Sequence, residues 1–172
     1  GTLLISAVVA ALGSFLFGFD TAVISGTTEA LEAGYVSDIT ERIAPLLLDP
    51  QGESYAGDKA NLLKFMLGFT VASALIGTMF GALLVGRPSD WWGRRPVLAV
   101  LAVLFAVSAI GCALAWDWLS LVLFRWLGGV AVGGASVVSP MYITEIAPAK
   151  RRGVLVAVSQ LNIVLGILAA YF

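Results

Sequence analysis

The chain has 172 residues, of which 59% are hydrophobic and only 12% are charged, and its mean hydropathy is +0.95. Soluble domains are about 45–50% apolar and about 25% charged, so the composition argues against a soluble enzyme and indicates a membrane protein. The chain has no His and a single Cys, which excludes intrachain disulfides, His-based metal sites and Ser-His or Cys-His catalysis, and its net charge of −1 does not favour a nucleic-acid partner.

Five stretches are long and apolar enough to cross a bilayer core of about 30 Å, which takes about 20 helical residues. They cover residues 2–28, 62–86, 96–116, 118–144 and 153–172. The first stretch has no basic start and is too long for a secretory signal, so we interpret it as a true span. The expected fold class is an all-α membrane protein with five transmembrane helices.

The connections between these spans alternate in charge. Residues 29–61 form a long acidic segment, broken by Pro45 and Pro50, with room for a short surface helix over residues 39–48. Two short basic connections are separated by two spans and therefore lie on the same side; they contain Arg87, Arg94 and Arg95 in one and Lys150, Arg151 and Arg152 in the other. The positive-inside rule places both in the cytoplasm, so we expect a cytoplasmic N-terminus and an external acidic segment.

Two ionisable side chains interrupt the apolar spans, Asp20 in the first and Arg125 in the fourth. A charge at this depth costs a few kcal/mol even on the mildest scale and is by default a candidate functional group. Helical rise places both in the outer half of the membrane, at depths compatible with a direct pair. The alternative is an ion pair that only locks two helices together.

Gln160 lies about 10 Å into the fifth span. A carboxamide in hydrocarbon must find partners, either on a neighbouring helix or on a polyhydroxylated ligand in a wet cavity. Phe17 shares a helix face with Asp20 and could stack on a sugar ring or simply pack. In the fourth span, Gly129 and Gly133 are four residues apart, a spacing that indicates close helix packing.

The two basic connections also contain carboxylates. Asp90 and Glu145 could bridge one connection to the other by pairing with nearby basic residues, and such bridges would close the cytoplasmic side. The alternative is that these charges are solvated and unpaired, since exposed pairs contribute only about 0–1 kcal/mol each. The candidate network consists of Asp90, Arg94, Arg95, Glu145 and Arg152.

Six motifs occur in order, each at the end of a predicted span: GFDTAVISG, GRPSDWWGRR, RWLGGVAVGG, PMYITEIAP, RRG and QLNIVLG. Together they resemble the sugar porter family of the major facilitator superfamily, in particular its bacterial sugar–proton symporters. The family has twelve helices in two six-helix halves, each with inverted three-helix repeats. The resemblance implies that the five spans are the N-terminal half without its last helix. Pro88 and Trp91 depart from the family pattern, which usually has Arg or Lys after the loop Asp.

The resemblance also implies roles for individual residues. Asp20 would be the protonatable carboxylate and Arg125 its partner, and since facilitators of the family typically have Asn at the Asp20 position, proton coupling is expected. Gln160 would be a sugar ligand, with Phe17 and Ile163 as cavity neighbours. The charge network would stabilise the outward-open state.

The resemblance therefore implies a proton-coupled monosaccharide symporter of the plasma membrane, or of the inner membrane in a Gram-negative bacterium. The alternatives are a uniporter of the same family and a transporter-like sugar sensor. The expected partners are a monosaccharide, the lipid bilayer and the C-terminal half. No cofactor is expected beyond the coupling proton.

Overall fold

The computed structural model describes residues 2–48, 55–148 and 152–172, with side chains from residue 13 in the first range and from residue 153 in the last. Within these ranges the fold is all helical. Helix α1 runs into a π-helical turn before α2, and the elements in order are α1 (Thr2–Leu31), the turn (Glu32–Val36), α2 (Ser37–Leu47), α3 (Tyr55–Leu84), α4 (Gly86–Trp92), α5 (Arg94–Ala113), α6 (Trp118–Ile146) and α7 (Arg152–Ala170).

Within the described ranges, four helices are long and apolar enough to cross a membrane, namely α3, α5, α6 and the Gly153–Ala170 part of α7. They correspond to the second to fifth predicted spans. The first predicted span lies on α1, whose side chains are described only from Gly13 onward.

Helix α6 lies at the centre and packs against α1, α3, α5 and α7. Its glycines bring the α3 backbone into direct contact, because a Cβ at Gly129 would overlap Ala74 and a Cβ at Gly133 would overlap Thr78. The packing interpretation of these glycines is confirmed.

The side-chain contacts also define the direction of each helix. Gly128 of α6 meets Ser108, whereas Gly134 further along α6 meets Leu101, so α5 runs opposite to α6. The start of α7 packs against the end of α6, so α7 also runs opposite to it. The Tyr35 O–H, beyond α1, donates to the carbonyl of Ala115 just before α6, at 2.9 Å. Helices α1, α5 and α7 are therefore parallel to one another, and the bundle has an α2 end and an α4 end.

The segment expected to be a long loop is helical over much of its length. Helix α1 continues to Leu31, and the helical path extends through α2 to Leu47. Val36, Thr40 and Ala44 are spaced by four residues and fully buried, so they form the inner stripe of this segment. Pro45 lies within α2, in its last turn, and does not break the helix. Pro50 lies outside the described residues.

The first basic connection also contains a helix. Helix α4 has Pro88 in its first turn. Backbone N–H groups in a first turn have no intrahelical acceptor, so the N–H that proline lacks costs the helix no hydrogen bond. Its inner face carries Ser89, which is completely buried. Gly93 follows with a φ of 86°, a conformation that favours glycine and lets the chain turn directly into α5.

Candidate functional site

Helices α1 and α6 bring the two intramembrane charges into the same region. Asp20 and Arg125 are both half-buried, and the Arg125 charge acts electrostatically on the Asp20 carboxylate. Among the ion pairs of the described residues, none within 4.0 Å joins them. The Arg125 Nε atom is buried without a hydrogen-bond partner. We call Asp20 and Arg125 the central pair; it consists of two nearby charges that do not bond directly.

Helices α1 and α7 approach closely enough for backbone contact. A Cβ at Gly18 would overlap the Ile163 carbonyl, and one at Gly166 would overlap the Phe15 carbonyl. Because the two helices are parallel, this contact sets the relative height of their polar residues. Asp20 lies two residues above Gly18 and Gln160 three residues below Ile163, so they are separated by about 7–8 Å along the bundle axis.

Gln160 is exposed on α7. Its carboxamide forms no side-chain hydrogen bond with the described residues. Helix packing within this part of the chain therefore leaves its polar atoms available to bind another group. Phe17 and Ile163 are both half-buried. The three predicted sugar-site residues thus lie on the closely packed α1–α7 pair.

The α4 end of the bundle contains a cluster of directly bonded charges. Arg94 donates from one nitrogen to Asp90 at 2.5 Å and to Ser89 at 3.0 Å, and from Nε to Glu145 at 3.0 Å. Because Asp90 belongs to α4, Arg94 to α5 and Glu145 to α6, the cluster joins three helices. We call Ser89, Asp90, Arg94 and Glu145 the loop charge cluster.

Arg95, the next predicted member of the network, points to a different partner. Its Nε donates to the Tyr142 hydroxyl at 2.6 Å, and its guanidinium carbon lies 5.7 Å from the centre of the Tyr142 ring. This contact connects α5 to α6 beside the loop charge cluster. The side chain of Arg152 lies outside the described residues.

Sequence reasoning missed two polar partners, Ser89 and Tyr142, and one neighbour of the central pair, Cys112. Cys112 on α5 lies within electrostatic reach of both Arg125 and Asp20. Tyr142 comes three residues before Glu145, so its place on the same helix face was a usable signal. Cys112 had no such signal, because its position depends on how α5 is rotated against α6.

Comparison with known proteins agrees with this architecture. Residues 6–172 match the family model described as sugar (and other) transporter. The D-xylose-proton symporter of Escherichia coli strain K12 is 42% identical over 183 residues, which covers 95% of this chain and 33% of that protein. The arabinose-proton symporter of Bacillus subtilis strain 168 is 37% identical over 172 residues, with coverage of 100% and 32%.

The solved inward-open structure of the xylose transporter XylE from E. coli superposes with a TM-score of 0.81 at 39% identity, covering 98% of this chain and 38% of that one. The fold is thus that of the N-terminal part of a major facilitator superfamily transporter. The chain spans about a third of the length of the curated relatives named above. It belongs to the sugar transporter family, whose members are membrane transporters and not enzymes.

Proposed function

We propose that the protein containing this chain is a proton-coupled monosaccharide symporter that works by alternating access. It resides in the plasma membrane, or in the inner membrane of a Gram-negative bacterium, with a cytoplasmic N-terminus. The observation that carries the proposal is the central pair, in which a half-buried carboxylate lies near a cation without bonding to it.

The central pair has the properties that a proton carrier needs. Burial favours a neutral carboxyl group, whereas the approach of a guanidinium favours the carboxylate. A change in the distance between α1 and α6 would therefore load or release a proton at Asp20. No His is present in the chain, so within it a buried carboxylate is the natural proton carrier. No other cofactor is needed for this step.

Sugar recognition is assigned to Gln160, with Phe17 and Ile163 beside it. A carboxamide donates and accepts hydrogen bonds at once, as neighbouring sugar hydroxyls require. Gln160 is exposed and makes no hydrogen bond to the described residues, which supports this role over helix packing. Two relatives are named for xylose and arabinose, so we propose a monosaccharide substrate. In this fold the site lies between two halves, so a C-terminal half would supply the remaining ligands.

The loop charge cluster is assigned to gating. Its described contacts lie within this chain and hold the ends of α4, α5 and α6 as one unit. That unit, together with Arg95 and Arg152, would close against the C-terminal half when the transporter opens outward.

Sugar accumulation by the complete protein in liposomes tests the proposal. With an acidic exterior, labelled xylose or arabinose should concentrate inside, and a protonophore should abolish the accumulation but leave equilibration intact. The mirror-image sugar is the control for leakage. Equilibration without accumulation would identify a uniporter, and binding without flux would identify a sensor; either result would contradict symport.

A further inference from the structure

An open apolar groove lies at the α4 end of the bundle, away from the central pair and Gln160. Its cavity volume is about 200 Å³, below the roughly 300–1,000 Å³ of ordinary small-molecule pockets. None of its lining residues is charged, and they include Leu84, Val85, Pro88, Trp92, Val100 and Val130. A narrow slot of this composition offers a sugar no hydrogen bonds but suits a hydrocarbon chain.

Helix α4 closes one end of this groove and presents two neighbouring faces. Pro88 and Trp92, four residues apart, line the groove. Arg87 and Trp91, also four apart, form the next face, and both are exposed. The exposed fractions of Trp91 and Trp92 are 84% and 66%. Indole side chains favour the boundary between hydrocarbon and water, which places this face at the membrane surface.

Arg87 places a positive charge beside the groove, and this charge is available to bind an anion. Arg87 forms none of the ion pairs found among the described residues. The nearest carboxylate in sequence, Asp90, is already bonded to Arg94, so it does not neutralise Arg87. Pro88 and Trp91, the two departures from the family pattern, both belong to this short helix. A cation next to an open hydrocarbon slot complements a lipid that has an anionic headgroup.

We propose that this groove binds an acyl chain of an anionic phospholipid, whose phosphate is held by Arg87. The lipid tail would lie between α3 and α5 against Val130 of α6, and Trp92 would cover it near the headgroup. The inference does not use the proposed proton or sugar sites, because its residues include neither the central pair nor Gln160, although α4 also belongs to the unit assigned to gating.

Native mass spectrometry of the complete protein tests both parts of this site. The probes are phosphatidylglycerol and phosphatidylcholine with identical acyl chains. The unaltered protein should retain phosphatidylglycerol about fivefold more tightly, which corresponds to about 1 kcal/mol for one basic residue near an anionic lipid. Arg87→Gln should abolish this preference, so that the two lipids are retained about equally. Arg42→Gln is the control: Arg42 is paired to Asp38 on α2, and its replacement should leave the preference unchanged.

The acyl-chain part is tested by filling the groove. Val100→Phe should reduce retention of both lipids severalfold. Val103→Phe is the matched control, because Val103 is exposed on the same helix but does not line the groove. Leu84→Phe, with Leu83→Phe as its control, repeats the test on the opposite wall in case the first variant folds poorly.

Three outcomes would overturn the proposal. The first is that each groove variant retains as much lipid as its control, both for Val100→Phe against Val103→Phe and for Leu84→Phe against Leu83→Phe. The second is an unchanged lipid preference in Arg87→Gln. The third is the absence of retained lipid in the unaltered protein, which would mean that another part of the protein covers the groove.

Discussion

The loop charge cluster and the central pair contain the same kinds of side chain in opposite arrangements. At the α4 end, Arg94 bonds to two carboxylates and a buried hydroxyl, although Asp90 and Glu145 are largely exposed. Inside the bundle, Asp20 and Arg125 interact only at longer range. Exposed ion pairs contribute little stability, whereas an uncompensated charge in a membrane is costly. Stability alone would favour tighter bonding in the membrane than at the exposed end, so the observed arrangement supports the proposed proton-carrying role of the central pair.

Asp20→Asn in the complete protein tests the central pair and should have the largest effect. Asn has the size and neutrality of a protonated carboxyl, so the steps that move sugar should continue while proton coupling is lost. We expect uphill accumulation to disappear and sugar counterflow to persist, both measured in vesicles. Asp38→Asn, at an exposed surface pair, should change neither activity. Continued accumulation by Asp20→Asn would remove Asp20 from the coupling role, and loss of binding as well would make it structural.

Arg94→Gln tests the loop charge cluster. The substitution leaves Asp90 and Glu145 without their shared cation and the buried Ser89 without its donor. We expect the melting temperature to fall by roughly 2–4 °C. Arg42→Gln, which breaks a pair of exposed side chains, should lower it less.

Salt provides a second readout for Arg94→Gln. Exposed charges are screened at high ionic strength, so the difference between the Arg94 variant and the unaltered protein should narrow as salt rises. A difference that does not depend on salt would mean that packing, and not charge pairing, holds this cluster together.

Gln160→Ala tests the carboxamide proposed to bind sugar, which belongs neither to the central pair nor to the loop charge cluster. One hydrogen bond to a neutral ligand contributes about 0.5–1.5 kcal/mol, so sugar affinity should fall by roughly threefold to tenfold. Isothermal titration measures the affinity, and Leu161→Ala, at the exposed neighbouring position, is the control. An unchanged affinity with a lowered melting temperature would assign Gln160 to helix packing.

The smallest expected effect belongs to Tyr142→Phe, at the edge of the loop charge cluster. The variant loses the hydroxyl that accepts from Arg95 but keeps the ring beneath its guanidinium. The free energy of unfolding should fall by about 0.5–1.5 kcal/mol in denaturant titration. Tyr171→Phe, at an exposed site near the end of α7, should have no effect; an equal loss in the two variants would show that the bond to Arg95 adds nothing.

Patterns in the sequence predicted the long apolar helices better than the connections between them. Four of the predicted spans coincide with described helices that can cross a membrane, because hydropathy depends on each residue alone and sums along the chain. Helix α2 (Ser37–Leu47) confirms the short helix expected over residues 39–48, but Pro45 was wrongly interpreted as a breaker, since the inner stripe of Thr40 and Ala44 stabilises the helix around it. Helix α4 was missed because its buried face consists of Ser89, a residue that gives no hydrophobic signal.

The sequence indicated the candidate residues by their residue type, but it did not indicate the residues to which they bond. Asp20, Arg125 and Gln160 stand out because each is polar within an apolar span, and the ordered motifs suffice to indicate the transporter family. Which charges bond was decided by the tertiary structure. The packing of α1, α5 and α6 brings Arg94 to Glu145 and Arg95 to Tyr142, and leaves Asp20 without a direct bond to Arg125. Such pairing depends on helix rotation and on close approach at glycines such as Gly18, and both arise only when the helices pack.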